Sequence, residues 1–173
     1  MLSIASFLRF LCAAFKAEGS PAYRAMEQAV KNLEAGKAKE ASAQAKAARD
    51  VIEHNRPKDP QYFNVFIESL GKLNPDGRRK MSEMINSALD VVPPGTEWRK
   101  PFEAARKALT DGEFGVEGAM PDLYAGAVAH LDEAVKHADK GDAKKAQENV
   151  QFAMNLYRAC TPLIARNQMM PLP

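Results

Sequence analysis

Residues 134–146 read AVKHADKGDAKKA, and residues 29–41 read AVKNLEAGKAKEA. At an offset of 105 positions, Ala29 matches Ala134, Val30 matches Val135, Lys31 matches Lys136 and Gly36 matches Gly141. Ala38 and Ala143, Lys39 and Lys144, Ala41 and Ala146, and further on Ala48 and Ala153, continue the match. Each copy runs through helix-forming residues, a glycine, and helix-forming residues again. Glycine takes the left-handed conformation that ends a helix and turns the chain back. Ala29 and Ala41, with Ala134 and Ala146, fall where two antiparallel helices come closest, and larger side chains there would push the helices apart. The stretch therefore predicts an αα-hairpin, built once near each end of the chain.

Working outward, the remaining sequence is also punctuated as helices. Ala, Lys and Glu are frequent, Val, Ile and Thr are sparse, and no sustained alternation of period two marks a strand. A first helix is expected over about residues 2–17. Gly19-Ser20-Pro21 ends it and opens a second, with Ser20 as N-cap and Pro21 in the first turn, running to about Ala35. A third spans about Lys37 to Asn55. Arg56 to Pro60 reads as a linker, with Asp59 capping a fourth helix whose apolar stripe lies in YFNVFIESLGKL (62–73). Asn74-Pro75-Asp76-Gly77 opens a fifth, to near Val92. Pro93-Pro94-Gly95-Thr96 breaks the chain, and Thr96 is the candidate cap of a sixth, ending around 110–112. DGEFGVEGAMPD (111–122) is the loosest stretch. Pro121 opens a seventh helix that Gly141 ends, and Asp142 caps an eighth that Pro162 is expected to stop near Cys160. The expectation is an all-α bundle of about seven to eight helices. Its parts are an amphipathic N-terminal helix (1–18), a first helical hairpin (19–56), central helices (57–112), a flexible linker (113–120), a second helical hairpin (121–166) and a tail (167–173).

Gly36 followed by Ala41 and Ala48, and Gly141 followed by Ala146 and Ala153, each with a small residue seven before the glycine, resemble the tetratricopeptide helical hairpin. That family's bulky first-helix positions hold Ala25, Gln28 and Asn32 in one copy and His130, Glu133 and His137 in the other, and its closing proline is Glu53 or Arg158. The second copy is also similar to small His-rich metal-binding helical proteins, through His130, His137, Ala138 and Gly141. The returning helix carries none of the further histidines of that family.

With 173 residues, 46% of them hydrophobic, the chain is long enough to bury a core without disulfides or metals. Its 24 basic and 22 acidic residues give a net charge of +2, which opposes a dedicated nucleic-acid binder. Cys12 and Cys160 form neither a disulfide framework nor a zinc ligand set, and they pair only if the first and last helices pack together. No run of about eighteen apolar residues provides a membrane-spanning helix.

The opening segment, MLSIASFLRFLCAAFKAEG, puts Ile4, Phe7, Leu8, Phe10, Leu11 and Phe15 on one helical face and Arg9 and Lys16 opposite. No acid precedes Glu18. Three readings fit: a helix docked on the protein's own core, a mitochondrial-type transit segment, and a peripheral membrane anchor. The compartment stays open between cytoplasmic and organellar.

Few residues carry chemistry. His130, Glu133 and His137 sit at i, i+3 and i+7, roughly one helix face, and supply ligand types suited to a borderline metal. The two histidines stand about 10 Å apart along the axis, so one ion takes only one of them, with Glu133 and ligands from elsewhere. Met169 and Met170 are soft ligands without His or Cys beside them. Gly77-Arg78-Arg79-Lys80 and Trp98-Arg99-Lys100 place basic residues in the first turns of two helices, against the dipole, which suits an acidic partner, a phosphate or a lipid headgroup. Tyr62, Phe63, Phe66, Trp98 and Phe102 read first as the core of the central helices. No nucleophile motif, phosphate-binding loop or dinucleotide fingerprint occurs. The expected function is a non-catalytic interaction or accessory subunit with a protein partner and no cofactor. Phe7, Phe10, Phe15, Arg78, Arg79, Lys80, Trp98 and Arg99 are its candidate contacts. The alternatives are a metal-binding bundle at His130, Glu133 and His137, or an enzyme whose site the sequence does not display.

Overall fold

The computed structural model describes residues 19–58, 61–116 and 118–168, with side chains described as far as Ala159. The expected helix over 2–17, with Phe7, Phe10 and Phe15, lies outside the described residues. So do the Asp59-Pro60 cap, the side chains of Cys12 and Cys160, and Met169 and Met170.

All regular structure among the described residues is helical. Seven α-helices follow in order: α1 (Pro21–Glu34), α2 (Ala38–Asn55), α3 (Tyr62–Leu70), α4 (Pro75–Val91), α5 (Lys100–Asp111), α6 (Leu123–Asp139) and α7 (Ala143–Gln168), with a 3-10 turn at Glu97–Arg99 before α5. Helix starts follow local chemistry. The Tyr23 N–H donates to Ser20 Oγ at 3.3 Å, the Gly77 N–H to Asn74 Oδ1 at 2.8 Å, and the Lys145 N–H to Asp142 Oδ1 at 3.1 Å. Each removes one of the unpaired donors a helix begins with.

Both glycine turns close with the same bonds. Gly36 N–H donates to Leu33 O at 3.1 Å and Lys37 N–H to Asn32 O at 2.8 Å. Gly141 N–H donates to Ala138 O at 3.0 Å and Asp142 N–H to His137 O at 2.9 Å. Gly36 and Gly141 have φ of 72° and 79°. Through these turns α1 packs on α2 and α6 on α7; α2 also packs on α6, and α1 on α7. Four helices therefore close into one bundle. The seams are lined by small residues, since Ala29, Ala41, Ala48, Ala134, Ala146 and Ala153 are all buried. The two turns share one end, where Gln147 at the start of α7 donates to Glu34 at the end of α1 at 3.3 Å.

The central helices form a second group. α4 packs on α5, α3 on α5, and both α3 and α4 reach α7. Buried Phe63, Phe66, Phe102, Ile85 and Leu89 build this part of the core. One aromatic chain joins it to the bundle: Tyr23 stacks on Tyr157 at 6.5 Å, Tyr157 meets Tyr124 at 6.2 Å, Tyr124 meets Tyr62 at 6.1 Å, and Tyr62 meets Phe63 at 6.4 Å. These are all four of the protein's tyrosines. In the 113–120 stretch, expected as a flexible linker, Phe114, Val116 and Met120 are half-buried against the core.

Three boundaries depart from expectation. α7 does not stop at Pro162 but continues to Gln168. Proline deletes one backbone bond, but its fixed φ is itself helical, so the flanking bonds carry the helix on. Thr96 does not cap the next helix; its hydroxyl donates backward to Pro93 O at 2.9 Å, and a 3-10 turn intervenes. α6 starts at Leu123 rather than Pro121, because the Asp122 carboxylate accepts from the N–H groups of Tyr124 and Ala125 at 3.0 and 3.1 Å.

Candidate functional site

Arg78 and Arg99, at the starts of α4 and α5, turn back toward the segments that precede them. Arg78 donates from Nε to Leu73 O at 3.1 Å and from Nη2 to Gly71 O at 3.0 Å, and its guanidinium lies 5.0 Å from the centre of the Phe114 ring. Arg99 donates from Nη1 to Leu89 O at 2.7 Å and to Val92 O at 2.6 Å, and from Nε to Glu103 at 3.1 Å. Each arginine thus answers the carbonyls that end the helix before it. A cation is favourable at that negative pole, which explains a charge that opposes the dipole of its own helix. Arg79 pairs with Asp76 at 3.0 Å and Glu83 at 2.7 Å, and Lys80 with Asp76 at 2.9 Å. Hydrogen bonds from Lys80, then Arg79, hold the exposed Asp76 carboxyl below its ordinary value. The Trp98 ring lies flat against Gly126 of α6, where an added Cβ would fall 2.8 Å from it.

His130, Glu133 and His137 do not converge. The His130 Nδ1 is 2.9 Å from Asn149 Oδ1, while Asn149 Nδ2 donates to Lys145 O. The amide orientation assigns the proton to Nδ1. The ring rests on Phe152, 4.2 Å between centres. Glu133 accepts from Lys136 at 2.6 Å, which lowers its carboxyl pKa, and His137 faces Asp142 at 3.8 Å. Among the described residues, no group of three or more His, Cys, Asp or Glu side chains is placed to hold a metal ion.

A junction the sequence reading missed joins α2, α3 and α6. Arg56, at the end of α2, donates to Asp122 Oδ2 at 2.6 Å. The buried Tyr62 hydroxyl donates to Asp122 Oδ1 at 3.1 Å and accepts from the Leu123 N–H at 2.9 Å. Pro-Asp before a helix is a cap signal and would have found Asp122, but nothing local pairs it with Arg56, 66 residues away. A matching contact brings the N-terminal side of α1 to α7: the Tyr157 hydroxyl donates to Ser20 Oγ at 2.9 Å, with both residues buried.

The hollows among the described residues include two at the surface. One of about 170 Å³ sits between α3, α5 and the 112–120 stretch, floored by Ile67, Ala108 and Met120 and rimmed by Lys107, Asp111 and Glu113. The other, about 360 Å³ and wide open, lies on the outer face of α7 along Lys144, Glu148, Gln151 and Asn155. No protein family matches the chain, and neither a curated protein nor a solved structure matches it. The tetratricopeptide likeness therefore stands on the hairpin spacing alone.

Proposed function

We propose that this protein is a non-catalytic helical accessory subunit that docks into a larger assembly through one end of its bundle. The observation that carries this reading is the Tyr157–Ser20 hydrogen bond of 2.9 Å. It fixes the start of α1 beside α7, which runs on to Gln168. α7 has 26 residues against 17 for α6, so its backbone outruns its hairpin partner at that end. Phe7, Phe10 and Phe15, the candidate contacts of the segment, require a covering surface.

The body fits a scaffold. Arg78, Arg99, Arg56, Asp122 and His130 are engaged in holding helices together, as their partners show.

The test compares the full chain with a chain lacking residues 1–18 in extracts of the native cells. The full chain is expected to migrate as part of a species much larger than 19.0 kDa, and the shortened chain to migrate alone with its melting temperature little changed. A full chain that migrates alone, or a shortened chain that melts far earlier while keeping its assembly, makes the segment an ordinary core helix.

A further inference from the structure

We propose that the hollow beside α3 and α5 is a binding site for a small aliphatic zwitterion, a free amino acid of the size of leucine. This function is separate from the docking proposed above and does not rest on it.

The hollow begins as a row on α5. Ala104, Lys107, Ala108 and Asp111 recur at i, i+3, i+4 and i+7, so they share one helix face, and all four line the hollow. The two alanines leave space where longer side chains would close it. Ile67 of α3 and Met120 complete the apolar floor. The space is about 170 Å³, below the roughly 300 Å³ at which pockets for drug-sized ligands begin, so it suits a ligand of few atoms.

The remaining wall comes from the chain after α5. Gly112, at φ 76°, turns the chain off the helix. Phe114 then wedges against Gly71, where an added Cβ would fall 2.9 Å from its ring, and the Arg78 guanidinium lies 5.0 Å from the ring centre. Lys100 Nζ donates to Ala119 O at 3.2 Å. The wall is thus pinned at two points, and the site is formed before a ligand arrives.

The rim sets the chemistry. Lys107 is a cation and Asp111 and Glu113 are anions, and all three border the same hollow. Among the described residues none of them is ion-paired, whereas Arg79 and Lys80 at the start of α4 both pair with Asp76. Lys107 precedes Asp111 on the helix, the poorer order for an i, i+4 pair. A simple carboxylate would leave the two acids facing it, and a simple amine would leave Lys107 facing it. An ammonium and a carboxylate on one carbon, with an aliphatic side chain, answer the acids, Lys107 and the floor together.

The test is a titration of the full chain, isotopically labelled at its Ile and Met methyl groups, with L-leucine. The Ile67 and Met120 signals are expected to shift and saturate. Glycine, isocaproate and isoamylamine lack the side chain, the ammonium and the carboxylate in turn, and each should bind at least about tenfold more weakly. Lys107→Gln and Asp111→Asn should each weaken leucine about tenfold, the order of one charge-assisted hydrogen bond. Ala104→Leu fills the hollow without touching the rim and should abolish the saturable shift. Melting curves show whether each variant keeps the fold, and the two rim variants report if Ala104→Leu does not. No saturable shift at Ile67 and Met120 as leucine nears its solubility limit, equal binding of an analogue, or an affinity unmoved by the rim variants overturns the inference. So does acetyl-leucine amide binding as tightly as leucine, which would make the hollow a socket for a partner protein's side chain.

Discussion

At the scale of the residue, Gly36 and Gly141 separate backbone from packing. Both hold positive φ, and a Cβ added at either would meet nothing within 4 Å. A side chain there is strained only because the left-handed region disfavours it. Gly36→Val and Gly141→Val should each cost about 1 kcal/mol or more. Thermal melts that match the parent for both would show that the turns tolerate a branched residue, and would remove the physical basis for reading the glycines as hairpin signals. The exposed ion pairs behave differently. Lys80 and Arg79 hold the Asp76 carboxyl below its ordinary value, and Lys136 holds the Glu133 carboxyl below its own. A carboxyl with a lowered folded pKa contributes stability above its unfolded value and loses it as pH falls through the folded value. Stability from these pairs should therefore be flat from neutrality down to about pH 5 and decline below about pH 4. Asp76→Asn should flatten part of that acid limb in urea titrations; identical limbs for variant and parent would show that screening by solvent leaves the pair no weight.

At the scale of the element, the central helices are held by arginines that work across a chain break. Arg99 is mostly buried, its side chain 19% exposed, and one nitrogen serves both Leu89 O and Val92 O at the end of α4. Arg99→Met keeps the apolar stem and removes the donor, leaving two carbonyls to find water. The expected loss is about 1–3 kcal/mol, read as a fall in the urea midpoint; an unchanged midpoint would mean that water reaches those carbonyls at no cost. The same elements show what the sequence displays and what it hides. Ser20, Asn74, Asp142, Gly36 and Gly141 act within three or four residues of themselves, so their spacing announces them. Arg99 carries the same basic signature as a partner-binding surface, because the carbonyls that claim it lie seven and ten residues back and become neighbours only when α4 and α5 fold. Pro162 misleads in the other direction: a residue that usually ends helices has a backbone angle that also fits inside one. The histidines are legible as a helical row, but the Asn149 that fixes His130 comes from the opposite helix of the hairpin.

At the scale of the whole molecule, the chain leaves the hairpins for the central helices and comes back to them at one junction. The connection from α2 to α6 leaves at Arg56 and returns at Asp122, and those two side chains are paired at 2.6 Å. Replacing residues 58–120 with a short Gly/Ser linker should therefore rejoin α2 and α6 without stretching either, since linkers of a few residues span such gaps. Asp122 would keep Arg56 and its two helix N–H groups, and lose the Tyr62 hydroxyl. The alanine-lined seams of α1, α2, α6 and α7 would remain, but Tyr124 would lose its Tyr62 neighbour, and α7 would lose the cover of α3 and α4. The four-helix remnant is expected to stay helical and to unfold in one cooperative step, at a lower temperature than the parent, as followed by far-UV circular dichroism and by the near-UV signal of Tyr23, Tyr124 and Tyr157. Helical signal without a near-UV signal or a cooperative melt would mean that packing is lost while the helices persist. The central helices would then be part of the one core, and the hairpins alone would not be a folding unit. A cooperative melt would instead assign stability to the hairpin pair and leave the central helices as a platform carried on it.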